Sequence, residues 1–426
     1  MDARLANPLG RWMVVIAAAS FAAFLIYGGA RHEFAAHRGF SSNPDDWLPA
    51  AELEPSNADN WYHLARYRQL DFEHSDLPLA ISYYQRAIAL NPRSPYYKED
   101  LASAFEMTGD TADAEKYFLE AKAAYPISGE IAWRYGNFLL RQQREAEAFA
   151  EIHRALLVSP KLIPLAISRC WRADPNFQEL LGEVLPNTPD AYREALSFLT
   201  QAQEPAAAVE AWNRLQGLHS RLELKIVFPL IDLLLDQDLS DDAGRVWGQA
   251  LEAAALSIQP GTSASLVFDG GFESDLTGGG PGWRLAEIPA ADFDFDTSEK
   301  RSGSRSARII FDGSQNLDYA NLVQRVIVQP KTRYRFDGSL RTDQITTDSG
   351  MRFEIVDPKH TRDLDVLTPN ETGTLPWTLE ETTFTTGPQT HWIEIRLRRI
   401  PSQRLDNRLQ GTVWVDDVAL TPLGAK

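Results

Sequence analysis

The chain has 426 residues, of which 44% are hydrophobic and 24% charged, so it is long enough for two or three domains with substantial cores. Its 42 basic and 59 acidic residues give a formal net charge of −17, which argues against nucleic acid as a ligand because a phosphate-binding surface needs a positive excess. Cys170 is the one cysteine, so an intramolecular disulfide is excluded.

The first predicted element is the uncharged run from Trp12 to Ala30. As a helix that rises ~1.5 Å per residue it would reach about 28 Å, close to the ~30 Å hydrocarbon core of a bilayer. Residues 1–31 are therefore predicted to form a cytoplasmic tip and a single transmembrane anchor, which leaves most of the chain on the periplasmic side of a bacterial inner membrane. The alternative is a signal peptide cleaved after Ala30. Residues 32–56 are interpreted as a juxtamembrane linker.

A repeat of 34 residues follows the linker. Pro92, Pro126 and Pro160 are spaced by 34 residues and each ends one segment. The middle copy resembles the tetratricopeptide repeat at Leu101, Ala102, Phe105, Ala114, Phe118, Ala121 and Pro126. Small residues at matching positions would let two antiparallel helices approach closely, and proline would stop the second helix.

The resemblance implies one helical solenoid over residues 57–256, with five or six units and degenerate copies after Pro160. Arrays of this family typically bind an extended peptide or a partner protein in a concave groove. The alternative is a spacer that holds the C-terminal domain away from the membrane.

Composition changes near residues 257–261, where short alternating strands and Gly, Pro, Asp and Thr turns begin. Strict alternation predicts strands at Tyr334–Asp337, Met351–Val356 and His391–Leu397. The spacing of about ten residues favours an antiparallel β-sandwich or jelly roll over residues 257–426.

The order of landmarks in this domain resembles the carbohydrate-binding modules of families 4, 9 and 22, which have a galactose-binding-like jelly roll. The landmarks are Leu266–Glu273, Gly282–Trp283, Ser302–Ile309 and Val413–Leu420. The resemblance implies a structural calcium ion, with Glu273 and Asp417 as carboxylate ligands and carbonyls near residues 300–302 as helpers. The alternative is that these carboxylates accept hydrogen bonds from turns.

The family resemblance also implies a glycan site built from exposed aromatic and polar side chains. Alternation places Trp392, Arg396 and Arg398 on one strand face, and Arg335 and Arg341 on a similar face. If both faces lined one groove, the groove would be basic and would suit an anionic polysaccharide. The alternative is cross-strand pairing of these arginines with Glu354 and Asp337.

No phosphate-binding loop, nucleophile elbow or metal-ligand cluster appears in the sequence, so a non-enzymatic protein is predicted. Adjacent acids such as Asp416 and Asp417 are expected to point to opposite faces of a strand. The combination predicts a periplasmic scaffold, with repeats that dock a protein and a β domain that binds glycan, in cell-envelope or exopolysaccharide assembly. The alternatives are a pure protein-interaction scaffold and a cryptic glycan-processing hydrolase.

Overall fold

The computed structural model describes residues 8–39, 41, 43–220, 223–254 and 265–423. These residues form two compact units that divide between Pro186 and Asn187. The helices are α1 (Pro8–Gly39), α2 (Trp47–Leu53), α3 (Ala58–Leu70), α4 (Leu77–Leu90), α5 (Pro95–Thr108), α6 (Thr111–Ala124), α7 (Gly129–Arg141), α8 (Glu145–Val158), α9 (Ile163–Ala173), α10 (Phe177–Glu179), α11 (Pro189–Gln201), α12 (Pro205–Gly217), α13 (Phe228–Asp236) and α14 (Ser240–Ala253). The first unit thus holds α1–α10, and the second holds α11–α14 together with all strands.

Helix α1 combines an exposed apolar part with a packed C-terminal part. The span Arg11–Gly39 is long and apolar enough to cross a membrane, judged by length and composition. Near its C-terminus Ala35 is buried, and the Arg31 guanidinium donates a hydrogen bond to the carbonyl of Leu53, the last residue of α2. The segment interpreted as a linker, residues 32–56, therefore contains the last turns of α1 and all of α2.

The three regular repeats form antiparallel helix pairs, α3 with α4, α5 with α6, and α7 with α8. Asp76 and Asp110 cap the second helices of the first two pairs by accepting hydrogen bonds from the backbone N–H of Leu79 (3.0 Å) and Asp113 (3.1 Å). Close approach within the third pair requires glycine, because a Cβ atom at Gly136 would lie 2.8 Å from Ile152 Cγ1. The predicted repeat packing is confirmed for these pairs.

The later helices are less regular, as the decaying sequence pattern predicts. Helix α9 is followed by the three-residue α10 and a π-helical turn at Leu180–Val184. In the second unit α11 pairs with α12 and α13 pairs with α14. Trp212 on α12 is buried, and its indole N–H donates to the Gln249 side-chain oxygen on α14 at 2.9 Å.

The C-terminal region is a sandwich of two five-stranded antiparallel sheets. The strands are β1 (Trp283–Leu285), β2 (Ala291–Asp296), β3 (Ser306–Asp312), β4 (Leu322–Ile327), β5 (Arg333–Ile345), β6 (Arg352–Val356), β7 (Asp365–Leu367), β8 (Gly373–Thr385), β9 (Trp392–Arg398) and β10 (Gln410–Pro422). Sheet A has the order β1-β4-β9-β6-β7, and sheet B has the order β2-β3-β10-β5-β8. The predicted multidomain fold class, an α solenoid followed by a β-sandwich, is confirmed.

The core of the sandwich lies between the sheets. On β9 Ile393, Ile395 and Leu397 are buried in this core, and Phe336 of β5 meets Phe353 of β6 edge to face at 5.0 Å. Each fully buried aliphatic or aromatic side chain contributes about 1.5–3 kcal/mol. The alternation that fills the core also fixes which side chains of each strand point outward, and the candidate site residues are among those.

Candidate functional site

A ladder of alternating charges runs across the first helices of the three regular repeats. Arg66, Asp100 and Arg134 are spaced by 34 residues and lie on α3, α5 and α7. Asp100 accepts a hydrogen bond from Arg134 at 2.8 Å, lies 3.5 Å from Arg66, and also accepts from the Tyr62 hydroxyl at 2.7 Å. The 34-residue spacing is a signal that sequence reasoning could have used and did not.

Glu99 lies beside this ladder and is almost completely buried. Its carboxylate is 3.1 Å from the Arg134 guanidinium. Burial raises the pKa of Glu99 to about 7, against the opposing charge of Arg134. On the next first helix the guanidinium of Arg169 lies 5.2 Å from the ring of Trp133. The first-helix face of the first unit therefore combines fixed charges with a half-buried tryptophan, an arrangement that suits a peptide with both charged and apolar side chains.

The outward face of sheet A holds three of the predicted glycan residues, Trp392, Arg396 and Arg398. Arg396 donates to Glu354 at 3.0 Å and to Glu394 at 2.6 Å. Arg398 pairs with Asp318 and lies 3.4 Å from Glu354. Trp392 is only 7% exposed. The alternative drawn from the sequence was that these arginines pair with acids on neighbouring strands. Arg396 forms this kind of pair with Glu354.

Arg335 and Arg341 lie on β5, in sheet B. Arg335 is 47% exposed and pairs with Asp337 at 2.8 Å and with Glu381 at 2.7 Å. Arg341 lies over the Trp414 ring at 5.4 Å. The suggestion that these two arginines share one groove with Arg396 and Arg398 is wrong, because the two sets belong to opposite sheets of the sandwich.

Helix α13 covers part of the outward face of sheet A. Asp232 pairs with Arg284 of β1 and accepts a hydrogen bond from the Gly280 N–H at 2.9 Å. Arg325 of β4 lies 3.5 Å from Asp232 and donates to Asp236 at 2.9 Å. The Asp232, Arg284 and Arg325 side chains are each exposed by less than a quarter. We call this group the Asp232 clamp.

Two further contacts extend the Asp232 clamp. Lys359 donates to the carbonyls of Leu235 and Asp236 at the C-terminus of α13, both at 3.2 Å, and pairs with Asp238. The guanidinium of Arg325 also lies 4.9 Å from the Trp392 ring. Part of the predicted glycan face is thus a docking face for helices of the same chain. No local sequence pattern signals this, because the contacts join residues far apart in the chain.

Aromatic contacts support the same interface. Trp247 of α14 meets Phe268 edge to face at 5.5 Å and lies 6.0 Å from Phe228 of α13. Gly280 rests on Phe228, since a Cβ atom there would lie 2.7 Å from the ring. The α13–α14 pair and the sandwich therefore share an apolar contact as well as the charged clamp.

The two predicted calcium ligands reach the same loop, residues 301–304. Glu273 accepts a hydrogen bond from the Ser304 N–H at 2.9 Å, and Asp417 accepts from the Ser302 hydroxyl at 2.5 Å. Burial opposes ionisation of Glu273, but hydrogen bonds from Ser304 hold the pKa of Glu273 below its ordinary value. The Arg301 guanidinium lies 3.4 Å from Asp417, where its charge competes with a cation. Hydrogen bonding thus accounts for these contacts, and calcium ligation by Glu273 and Asp417 stays a prediction.

Asp416, which the sequence did not indicate as a calcium ligand, is the fully buried carboxylate of this region. It accepts from the N–H groups of Arg301 at 2.8 Å and Ser302 at 3.1 Å. The expectation that Asp416 and Asp417 point to opposite faces is wrong, because a β-bulge interrupts β10 between Asp416 and Ala419. Asp417 adopts a positive φ of 50°, and both side chains contact Ser302.

A second pair of carboxyl groups lies in the same domain. Glu380 of β8 is 3% exposed, and the carboxyl group of Glu371 is its acidic neighbour. Burial, followed by the charge of Glu371, raises the pKa of Glu380 to about 7. Sequence reasoning missed this pair because the two residues are nine positions apart. Within the described ranges, no group of three or more His, Cys, Asp or Glu side chains is placed to hold a metal ion.

Comparison with known proteins gives likenesses to solved structures. No family model matches the chain, and no curated protein matches it. The CBM22-1 xylan-binding domain of Paenibacillus barcinonensis Xyn10C matches 39% of this chain and 99% of its own, with 12% identity and a TM-score of 0.29. Pseudomonas aeruginosa PilF matches 54% of this chain and 93% of its own, with 17% identity and a TM-score of 0.27. YrrB, a TPR protein with a peptide-binding site, matches 51% of this chain and 96% of its own, with 12% identity and a TM-score of 0.27.

At these identities a likeness concerns the fold alone. The helix pairs and the two sheets described above carry the fold assignment by themselves. Both halves of the fold predicted from the sequence, the repeat array and the β-sandwich, are present in the molecule.

Proposed function

We propose that this protein is a single-pass scaffold, anchored in the bacterial inner membrane, with its repeats and β-sandwich in the periplasm. The observation that carries the proposal is the division of α1. Its apolar side chains from Trp12 to Tyr27 are exposed, whereas Ala35 of the same helix is buried beside α2. An exposed apolar helix of this length needs an apolar surrounding, and the hydrocarbon core of a bilayer matches its length.

Membrane topology can be tested by fusing alkaline phosphatase, which is active only outside the cytoplasm, after Lys426. The full chain should give active enzyme in the membrane fraction. A matched fusion that lacks residues 1–31 should be inactive. A full-length fusion that works only with a cytoplasmic reporter would refute the placement. A mature protein that starts at Arg31 would support the signal-peptide alternative instead.

The repeats, in this proposal, bind a protein partner through the face that carries the ladder of Arg66, Asp100 and Arg134. Support comes from Arg66, which is 47% exposed, and from the half-buried Trp133. A photo-crosslinking amino acid at Trp133 should capture one defined partner in cells. The same amino acid at Leu119, which is 45% exposed on α6, is the matched control. Equal products at both positions, or none at Trp133, would argue for the spacer alternative.

Glycan binding by the sandwich is the second candidate function, with a place in cell-envelope or exopolysaccharide assembly. It is supported by arginines that keep exposed surface, Arg335 on sheet B above all. The test is binding of neutral and anionic polysaccharides to the full chain, because removing α13 and α14 would uncover Phe268 and Arg325. Arg335→Ala should weaken binding if sheet B holds the ligand, and Arg398→Ala should weaken it if sheet A does. Absence of binding to every polysaccharide would leave a pure protein-interaction scaffold.

A further inference from the structure

The first unit has two chemically different ends. One end holds the turns that join successive repeats, residues 54–57, 91–94, 125–128 and 159–162, and we call it the inter-repeat end. Contacts confirm that these turns lie together: Arg154 donates to the Pro126 carbonyl at 3.0 Å, and a Cβ atom at Gly129 would lie 3.0 Å from Val158. At the N-termini of α3 and α5, Tyr97 bonds Asp59. The opposite end holds the turns within each helix pair.

Helix α1 leaves the unit at the inter-repeat end. Arg31, which directly follows the apolar run, donates to the Leu53 carbonyl, and the next residue, His32, pairs with Glu54. Further along α1, Arg38 lies 3.9 Å from Asp46. The last turns of α1 therefore run antiparallel to α2, and the apolar part extends away from the turn at residues 54–57. If that part spans a bilayer, the membrane surface lies beside this turn.

The surface of the inter-repeat end fits a lipid headgroup region. It exposes six large apolar side chains, Ile127 (73%), Leu157 (61%), Val158 (56%), Tyr96 (44%), Leu90 (40%) and Tyr125 (40%). Arg93 and Lys161 are exposed in its turns. The opposite turns and the first three helical residues after them carry seven acids against one basic residue, Arg144; the acids are Asp71, Glu73, Asp76, Asp110, Asp113, Glu145 and Glu147. The same count at the inter-repeat end gives three acids, Glu54, Asp59 and Glu130, against the two basic residues Arg93 and Lys161, so this end is much less acidic.

We propose that the inter-repeat end of the first unit rests on the surface of the phospholipid bilayer that α1 crosses. The inference rests on the proposed anchoring function and adds an orientation and a second membrane contact to it. Apolar tips such as Ile127 enter the boundary between headgroups and acyl chains, while Arg93 and Lys161 meet lipid phosphates. The acidic end faces away, because anionic lipids repel it. Two observations favour a lipid surface over a protein partner at the inter-repeat end: α1 leaves the unit at this end, and the other end is the more acidic one.

The experiment measures fluorescence quenching in full-length protein reconstituted into vesicles of phosphatidylcholine and phosphatidylglycerol. Cys170 is buried, so single introduced cysteines can be labelled selectively. The test position is Ile127→Cys. The control is Phe72→Cys at the opposite end, where the native side chain is 98% exposed. A third position, Phe21→Cys, reports on the anchor, and the quenchers are lipids with nitroxides on the headgroup or the acyl chain.

We expect headgroup nitroxides to remove at least half of the emission at position 127 and little at position 72. Acyl-chain nitroxides should quench position 21. Quenching at 21 without quenching at 127, or equal quenching at 127 and 72, overturns the membrane contact and leaves the anchor standing. Absence of quenching at 21 overturns the anchor, and the membrane contact with it. As a further check, Arg93→Glu with Lys161→Glu should reduce quenching at 127, whereas Arg144→Glu should not.

Discussion

Replacement of Asp232 by alanine should loosen the contact between α13 and sheet A. The substitution removes the acceptor of the Gly280 N–H and leaves two guanidinium groups, those of Arg284 and Arg325, without this carboxylate. Both arginines are about a fifth exposed, so the site lies between an exposed ion pair, worth ~0–1 kcal/mol, and a buried one, whose disruption costs ~3–5 kcal/mol. We therefore expect a loss of about 2–3 kcal/mol in the free energy of opening this contact.

Two other variants calibrate the effect. Asp232→Asn keeps an oxygen that can accept from Gly280 but removes the charge, so it should cost about 1–2 kcal/mol. Asp236 is 59% exposed, and Asp236→Ala should therefore cost at most about 1 kcal/mol. High salt should reduce the differences among these variants, because it screens the partly exposed charges.

Native-state hydrogen exchange on the full chain is the appropriate assay, because it reports local opening without assuming two-state unfolding of several domains. A loss of about 2–3 kcal/mol corresponds to exchange about 30- to 150-fold faster in peptides that cover α13 and β1. Peptides from β3 and β10 in sheet B serve as internal controls and should not change. Equal exchange in the Asp232→Ala and Asp236→Ala variants would refute the assignment of Asp232 as the centre of the clamp.

Three further predictions concern other parts of the chain. Gly136→Ala should destabilise the third helix pair by about 1–3 kcal/mol in thermal unfolding, because the added Cβ atom would clash with Ile152. Gly248→Ala is the control: no atom lies within 4 Å of the added Cβ, so this variant should be stabilised by up to about 1 kcal/mol. Burial raises the pKa of Glu99 from 4.5 to about 7, so folding takes up a proton and stability should fall as the pH rises across that window; urea titrations of Glu99→Gln should lack this component. If Glu273 and Asp417 bind calcium, adding the ion should raise the melting temperature of the wild type but not of Glu273→Gln, and an unchanged wild type would exclude the site.

The parts of the fold that could be predicted are those coded by short-range periodicity. The 34-residue spacing of Pro92, Pro126 and Pro160 gave the helix pairs, and alternation along residues 391–397 gave β9 and its two faces. Alternation also identified Trp392 and Arg396 as outward residues. It could not indicate what covers that face, because the covering group belongs to a helix more than a hundred residues earlier.

Two omissions have different physical origins. The ladder of Arg66, Asp100 and Arg134 follows the repeat spacing and was present in the sequence, so it could have been found by comparing charges between copies. The contact of both Asp416 and Asp417 with Ser302 depends on a β-bulge in β10. A bulge shifts the inward–outward alternation by one residue, and nothing in the local sequence of this strand announces the shift.

The Asp232 clamp links the charge balance of the chain to the question of ligand binding. The covered part of sheet A is basic through Arg284 and Arg325, and two of the acids that pair with these arginines, Asp232 and Asp236, belong to α13 of the same molecule. A third acid, Glu394 of β9, lies 3.7 Å from Arg325 within the sheet. An anionic glycan that reached these two arginines would have to displace Asp232 and Asp236, so its affinity would be reduced by the free energy of opening the clamp. Arg335 on sheet B pairs with acids of its own sheet. A polysaccharide that binds Arg335 would not have to displace a helix, so Arg335 is the better first position at which to look for a bound polysaccharide.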